Sequence, residues 1–275
     1  MMHRIERIFS FYVFSNIHVA LSTSCLVMLT LFQFGIEDCR TVLFVFCGTV
    51  TGYNFIRAIE VNRLYPSMRH WIRSSAVWLI LLNVIMVFGL IYAAFHFSWR
   101  DLIFLAPFFL LTLFYAFPFK GRIKGLRNLP GVKLFLISAV WAGVTVLFPI
   151  WVNDLSFDSE VWIVFWQRFL IIFAITIPFD IRDIQLDSPD LATLPQTFGL
   201  EKSKAIAVFA LAAFIVLFYQ GDFSGMERGI GLSIALISAG FVLKAGVHQN
   251  RYYSSFWVEA IPIIWLLLTI VIASM

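Results

Sequence analysis

Long apolar segments, separated by short polar ones, follow one another along the whole chain. A helix that crosses the hydrocarbon core of a bilayer needs roughly 20 predominantly apolar residues. By that criterion the pattern predicts nine membrane-spanning helices without a linker or an appended soluble domain, so residues 1–275 are expected to form one integral-membrane domain. The predicted spans lie at about 10–34, 41–59, 75–95, 101–118, 132–152, 160–179, 204–219, 228–248 and 256–274.

The composition is that of a membrane protein. Of the 275 residues, 61% are hydrophobic and 13% are charged, and the mean hydropathy is +0.89. A soluble domain is roughly half apolar. The expected fold class is therefore an all-α polytopic membrane protein surrounded by lipid, and the expected location is the inner (plasma) membrane of a bacterium.

The distribution of charge predicts which side of the membrane each segment end faces. With a cytoplasmic N-terminus and nine spans, sixteen of the twenty basic residues fall on the cytoplasmic side and three on the other, in agreement with the positive-inside rule. Because these charges lie in loops at the membrane surface, the net charge of +4 does not indicate a nucleic-acid partner. The cytoplasmic basic residues are Arg4, Arg7, Arg57, Arg63, Arg69, Arg73, Lys120, Arg122, Lys124, Arg127, Lys133, Arg182, Lys202, Lys204, Lys244 and Arg251.

Three carboxylates lie at the cytoplasmic end of the sixth predicted span. Asp180, Asp183 and Asp187 are spaced by three and four residues, so on a helix they would project from one face. Clustered acids beside lipid need a cationic partner. Mg²⁺ prefers carboxylate oxygens together with substrate phosphates. The spacing therefore predicts that these three residues bind Mg²⁺ and act in catalysis.

Two basic stretches, 57–73 and 119–133, are expected on the same side of the membrane as the acidic cluster. Acids that hold Mg²⁺ beside Arg and Lys that hold phosphate oxygens would form a diphosphate site. The apolar bundle above it would accept a hydrocarbon tail. The implied substrate is amphiphilic, such as a prenyl diphosphate, and the implied chemistry is ionisation of its C–O bond.

Residues 180–199 resemble the second aspartate motif of the UbiA superfamily of membrane prenyltransferases. That motif reads D-x-x-D-x-x-x-D, then a short loop, T-L-P and a Gly, and here it corresponds to Asp180, Asp183, Asp187, Thr193-Leu-Pro195 and Gly199. The stretch from Leu113 to Lys120, with Leu129-Pro-Gly-Val-Lys133 and Trp141, is similar to the family's segment between helices four and five. The resemblance spans about residues 50–260.

The resemblance implies a nine-helix UbiA-type bundle with a cytoplasmic N-terminus. It implies Mg²⁺-dependent transfer of an isoprenyl group from a prenyl diphosphate to an acceptor, with release of diphosphate at the cytoplasmic face. The acceptor and the prenyl chain length are not specified by the sequence.

The first aspartate motif of the family is where this chain differs. The family pattern is N-D-x-x-D-x-x-x-D; aligned on Asn54, this chain has Phe55, Ala58 and Asn62 at the aspartate positions. Arg57 and Arg63 are candidates to hold the diphosphate directly in place of one metal ion. The predicted diphosphate-binding residues are Asn54, Arg57, Asn62, Lys120 and Arg122.

Three alternatives to prenyl transfer follow from the same residues. The loss of the first motif favours a non-catalytic homologue that binds isoprenoid lipid or a partner. A prenyl-diphosphate cyclase would use the same ionisation step without a separate acceptor. A transporter is disfavoured because the acids cluster at the membrane face, whereas transporter sites lie near the midplane in broken helices.

Three further charged residues have two interpretations each. Arg168, inside the sixth span, either serves a function in the membrane or pairs with Glu160. Glu259, early in the ninth span, either joins a polar cavity or caps a helix. Lys133 either takes part in the site or extends its ammonium to the membrane surface from a helix end.

Overall fold

The computed structural model describes residues 2–59, 61, 66–116, 131–187 and 191–274, and all regular structure within them is helical. Two π-helical segments, Gly143–Leu147 and Tyr253–Val258, interrupt the α-helices. The α-helices are α1 (Met2–Phe14), α2 (Ile17–Gln33), α3 (Cys39–Ile59), α4 (Pro66–Ser74), α5 (Ala76–Ala94), α6 (Trp99–Phe104), α7 (Ala106–Ala116), α8 (Val132–Ala142), α9 (Phe148–Val152), α10 (Ser159–Asp183), α11 (Leu194–Phe198), α12 (Leu200–Gln220), α13 (Gly225–Lys244) and α14 (Ile261–Ala273).

Seven described helices are long and apolar enough to cross a membrane, and an eighth span is possible if α1 and α2, bent by 55°, count as one. For the described part of the chain this confirms an all-helical membrane architecture, whereas the count of nine spans stays a prediction. Two of the seven include a π-helical segment: Val132–Val152 runs from α8 through α9, and Tyr253–Ala273 ends with α14. The other five are Cys39–Ile59, Ala76–Ala94, Ser159–Asp183, Leu200–Gln220 and Gly225–Lys244.

The predicted span 101–118 is divided within its described part into α6 and α7, which meet at Leu105. Pro107 explains the break, because proline has no N–H to donate and its ring clashes with the carbonyl four residues earlier. The end of this predicted span, from 117 onward, lies outside the described residues.

Helix α10 is the centre of the bundle. It packs against α8, α12 and α13, and apolar side chains along most of its length are buried in the main core. A helix that is apolar on all sides is expected in such a position. The sequence predicts this span, and the structure places it between α8, α12 and α13.

Polar groups collect at both ends of the bundle. At one end, Asn153 donates a hydrogen bond to Asp38 (3.3 Å), and Trp151 donates one to Asp101 (3.1 Å). Burial alone would raise the pKa of Asp38, but hydrogen bonds from Thr41, Asn153 and the backbone of Arg40 hold it below its ordinary value. The opposite end of the bundle contains the carboxylates predicted from the sequence, and the name polar end is used below for this end only.

Candidate functional site at the polar end

The three predicted aspartates lie where α10 finishes. Asp180 is fully buried and Asp183 is the last residue of the helix, while Asp187 follows in a turn whose backbone N–H donates to the carbonyl of Asp183 (2.8 Å). The helix therefore ends before Asp187. The three carboxylates consequently do not share one continuous helical face, and they divide between two different cations.

Lys133 joins Asp180 to Asp187. Its Nζ lies 2.8 Å from Oδ1 of Asp180 and 3.0 Å from Oδ2 of Asp187. Lys133 is the second residue of α8, so this contact also fastens the start of α8 to the end of α10. The lysine side chain is 11% exposed. Of its two predicted roles, Lys133 therefore has the first: it lies inside the site. It does not extend its ammonium to the membrane surface.

Asp183 pairs with the residue before it. Nε and NH2 of Arg182 donate to the two carboxylate oxygens of Asp183 at 2.8 and 2.7 Å. NH1 of Arg182 donates to the hydroxyl of Ser255 (2.9 Å), and its guanidinium lies 5.2 Å from the ring centroid of Phe179. Arg182 is thus held between α10 and the second π-helical segment.

Short helix α11 fixes the backbone of Asp187. Nε2 of Gln196 donates to the carbonyl of Asp187 (2.9 Å), and Oε1 of Gln196 accepts from the N–H of Thr193 (3.1 Å). Gln196 was not among the residues predicted for the site. The signal was present, since a Thr followed three residues later by Gln indicates a helix start, but its connection to Asp187 depends on the tertiary fold.

A second group of charges lies beside the carboxylates. Glu259 interacts electrostatically with Arg182 and Arg57, and the two arginines are close enough to repel each other. Glu259 therefore lies with Arg182 and Arg57 in a group called here the charged cluster, and its backbone forms the C-terminal cap of the second π-helical segment. Arg57 comes from α3 and Arg182 from α10, so the polar end brings together distant parts of the chain.

Arg57 and Asn54, both predicted diphosphate ligands, contact the junction of α1 and α2. Asn16, at this junction, has a left-handed backbone with φ of 68°. Nδ2 of Asn16 donates to Asn54 (2.7 Å), and NH2 of Arg57 donates to Oδ1 of Asn16 (2.6 Å). Arg57 also donates to the carbonyl of Phe14, and Asn54 donates to that of Ser15 (3.0 Å). Both residues therefore stabilise the bend between these helices.

An open cavity of about 640 Å³ lies beside Arg57, between α3, α4 and α5, and its lining side chains of Ile80 and Phe88 are exposed. Most of its lining is apolar, and Arg57, Asn54 and Asn83 supply the polar atoms. Since Arg57 also interacts with the charged cluster, the cavity and the cluster adjoin at this residue. The remaining lining residues are Ala58, Ile72, Ala76, Leu79, Ile80, Val84, Val87 and Phe88.

The other predicted diphosphate ligands, Asn62, Lys120 and Arg122, lie outside the described residues, as does Arg63. Their roles stay predictions from the sequence. The described chain resumes at Gly131, two residues before Lys133.

The carboxylates as arranged do not fit a resident Mg²⁺ ion. Asp180 and Asp187 face Lys133, and Asp183 faces Arg182. Within the described part of the chain, no three His, Cys, Asp or Glu side chains are grouped so that they could hold a metal ion. Mg²⁺ therefore stays a prediction from the sequence, and no chemical step is assigned to it below.

The fold is similar to that of a solved structure from work on digeranylgeranylglyceryl phosphate synthase in membranes. The two chains align over 97% of this chain and 98% of the other, with a TM-score of 0.54 and 19% sequence identity. No family model matches this chain, and no curated protein matches it in sequence. The similarity shows that the two chains share a fold over nearly their whole length.

Proposed function

We propose that the protein binds a prenyl diphosphate at the polar end and transfers its prenyl group to an acceptor. The observation that carries this proposal is the junction at Arg57, where a largely apolar cavity of about 640 Å³ meets a cluster of charged side chains. A molecule with an anionic head and a hydrocarbon tail matches both parts. The shared fold with the solved structure from work on digeranylgeranylglyceryl phosphate synthase supports a substrate that carries a prenyl group.

In this proposal the diphosphate lies against Arg182 and Arg57, whose guanidinium groups stabilise the charge that develops on it. The bond between prenyl C1 and the diphosphate oxygen breaks, and its electron pair leaves with the diphosphate. C1 then bonds to a nucleophilic atom of the acceptor, which loses a proton. The apolar cavity holds the tail.

The test uses purified protein in nanodiscs and a panel of prenyl diphosphates of different lengths. Affinity is measured by displacement of a radiolabelled prenyl diphosphate, and turnover by diphosphate release with candidate acceptors. Arg182→Met should weaken affinity about ten- to hundredfold, as expected for the loss of a charge-assisted hydrogen bond. Arg73→Met is the matched control, because Arg73 is exposed on α4.

Equal affinity of the Arg182→Met and Arg73→Met proteins would contradict this placement of the diphosphate. If the wild-type protein bound no prenyl diphosphate at all, the proposed substrate class would be wrong.

A second candidate function is isoprenoid binding without chemistry. It is favoured by the use of Asn54 and Arg57, at the position of the missing aspartate motif, to hold the bend between α1 and α2. In such a chain the former diphosphate-binding positions make structural contacts instead. The protein would then still bind the isoprenoid lipid but would not catalyse prenyl transfer. Tight binding without diphosphate release, for every acceptor class tested, would support this candidate over transfer.

A further inference from the structure

We infer that Lys133 is the resident cation of the carboxylate cluster and takes the place that a divalent ion would otherwise occupy. This inference concerns the same site as the proposed function and assigns its cation. It begins with the position of the ammonium group, which is 2.8 Å from Asp180 and 3.0 Å from Asp187. A cation between two carboxylates, at hydrogen-bond distance from both, has the same neighbours as a metal ion bridging them.

Burial makes this cation necessary. Asp180 is completely buried, and its neighbours in α10, Ile177 and Ile181, belong to the main core. An ionised carboxylate in such a place is strongly disfavoured unless a positive charge compensates it. Lys133 supplies a positive charge from within the chain, 2.8 Å from Oδ1 of Asp180.

The position of Lys133 is also fixed by its surroundings. It follows Gly131, which has φ of 78° at the start of α8 and where an added Cβ would lie 3.1 Å from Cδ2 of Leu194 in α11. Helix α11 in turn holds the backbone of Asp187 through Gln196. Gly131 and α11 therefore hold both Lys133 and Asp187 in position. This favours a permanent ion pair over a chance contact.

A divalent ion would have to displace this ammonium or lie beside it. Lying beside it is disfavoured because like charges repel in a medium of low dielectric constant. Asp183, the third aspartate, is a poor ligand for such an ion, because both of its carboxylate oxygens already accept hydrogen bonds from Arg182. The wild-type cluster should therefore have no saturable divalent site of its own, and removal of the lysine charge should create one.

The experiment titrates the purified protein in detergent with Mn²⁺ alone and follows free Mn²⁺ by electron paramagnetic resonance. The wild-type protein should bind no stoichiometric Mn²⁺, whereas Lys133→Met, which removes the charge with little change in length, should gain one saturable site per chain. That site should be lost again in the double variant Lys133→Met with Asp187→Asn. Lys244→Met, at an exposed helix end, should behave like the wild-type protein.

One stoichiometric Mn²⁺ in the wild-type protein that disappears in Asp187→Asn would overturn the inference, and this comparison does not require Lys133→Met to fold. A folded Lys133→Met protein that gains no site would overturn it as well. Failure of the proposed function is a separate outcome, because it is measured as absence of prenyl-diphosphate binding and leaves the Mn²⁺ titration unchanged.

Discussion

Arg168 is a single charged residue in the interior of α10, and its side chain is only 2% exposed overall. Its NH2 group is 3.4 Å from the hydroxyl of Thr30, and its guanidinium lies 4.8 Å from the ring centroid of Trp265. The predicted alternative that Arg168 pairs with Glu160 is wrong for this structure, since no carboxylate among the described residues forms an ion pair with it. The compensation for this buried charge is therefore incomplete.

We expect Arg168→Met to raise the melting temperature in detergent, by about 2–4 °C. Two of its guanidinium nitrogens, Nε and NH1, have no hydrogen-bond partner among the described residues. Replacing an incompletely paired buried charge with an apolar side chain of similar length is often stabilising, even though the contact with Trp265 is lost. Differential scanning fluorimetry measures the shift. A lower melting temperature would show that Arg168 has a compensating partner that stabilises the fold.

At the scale of elements, the contact between α8, α10 and α11 builds the carboxylate cluster. Lys133 near the start of α8 reaches the end of α10, and Leu194 of α11 packs against the backbone at Gly131. The Thr-Leu-Pro sequence thus has a structural role here, because α11 places Gln196 against Asp187. A small displacement of α8 would separate the lysine from both carboxylates.

Gly131→Ala should destabilise the protein by about 1–2 kcal/mol, the cost of a side chain in a left-handed backbone conformation. The added Cβ would also lie 3.1 Å from Cδ2 of Leu194. Thermal unfolding and prenyl-diphosphate affinity are both measured, since a shifted α8 should weaken the site as well.

Gly240→Ala is the control for that prediction. Gly240 is in α13 with nothing within 4 Å of an added Cβ, and alanine is favoured over glycine inside a helix. This variant should be as stable as the wild-type protein or slightly more stable. If Gly131→Ala behaved in the same way, the proposed role of Gly131 in holding α8 would be contradicted.

At the scale of the whole molecule, the apolar cavity beside Arg57 is expected to hold the prenyl tail. Ala58→Trp should fill part of it and weaken binding of long-chain prenyl diphosphates more than that of short ones. Affinity is measured across the panel of chain lengths. A second groove, lined by Trp166, Leu170 and Ala213 among others, lies away from the polar end.

Ala213→Trp in this second groove provides the matched control, because it adds the same side chain at a small residue of another apolar surface. It should leave the dependence of affinity on chain length unchanged. Equal effects of the two substitutions, or a selective effect of Ala213→Trp alone, would place the tail elsewhere.

The sequence by itself determined the fold class and most of the spans. In a bilayer, the backbone N–H and C=O groups of a run of about 20 apolar residues find their hydrogen-bond partners within a helix. Seven predicted spans correspond to described helices of that length. It also located three carboxylates at the end of α10, because charges are costly inside lipid and so collect at helix ends.

Only the tertiary structure decided what those carboxylates contact. Lys133 lies 47 to 54 residues before Asp180 and Asp187, and Arg57 and Glu259 come from opposite ends of the chain, so no local pattern predicts their meeting. Asn54 and Arg57 were predicted to bind diphosphate from their position in a motif, whereas packing of α3 against the α1–α2 bend supplied partners inside the chain. The physical reason is that spacing along a helix fixes which residues share an element, while packing between distant elements fixes which charges neutralise one another.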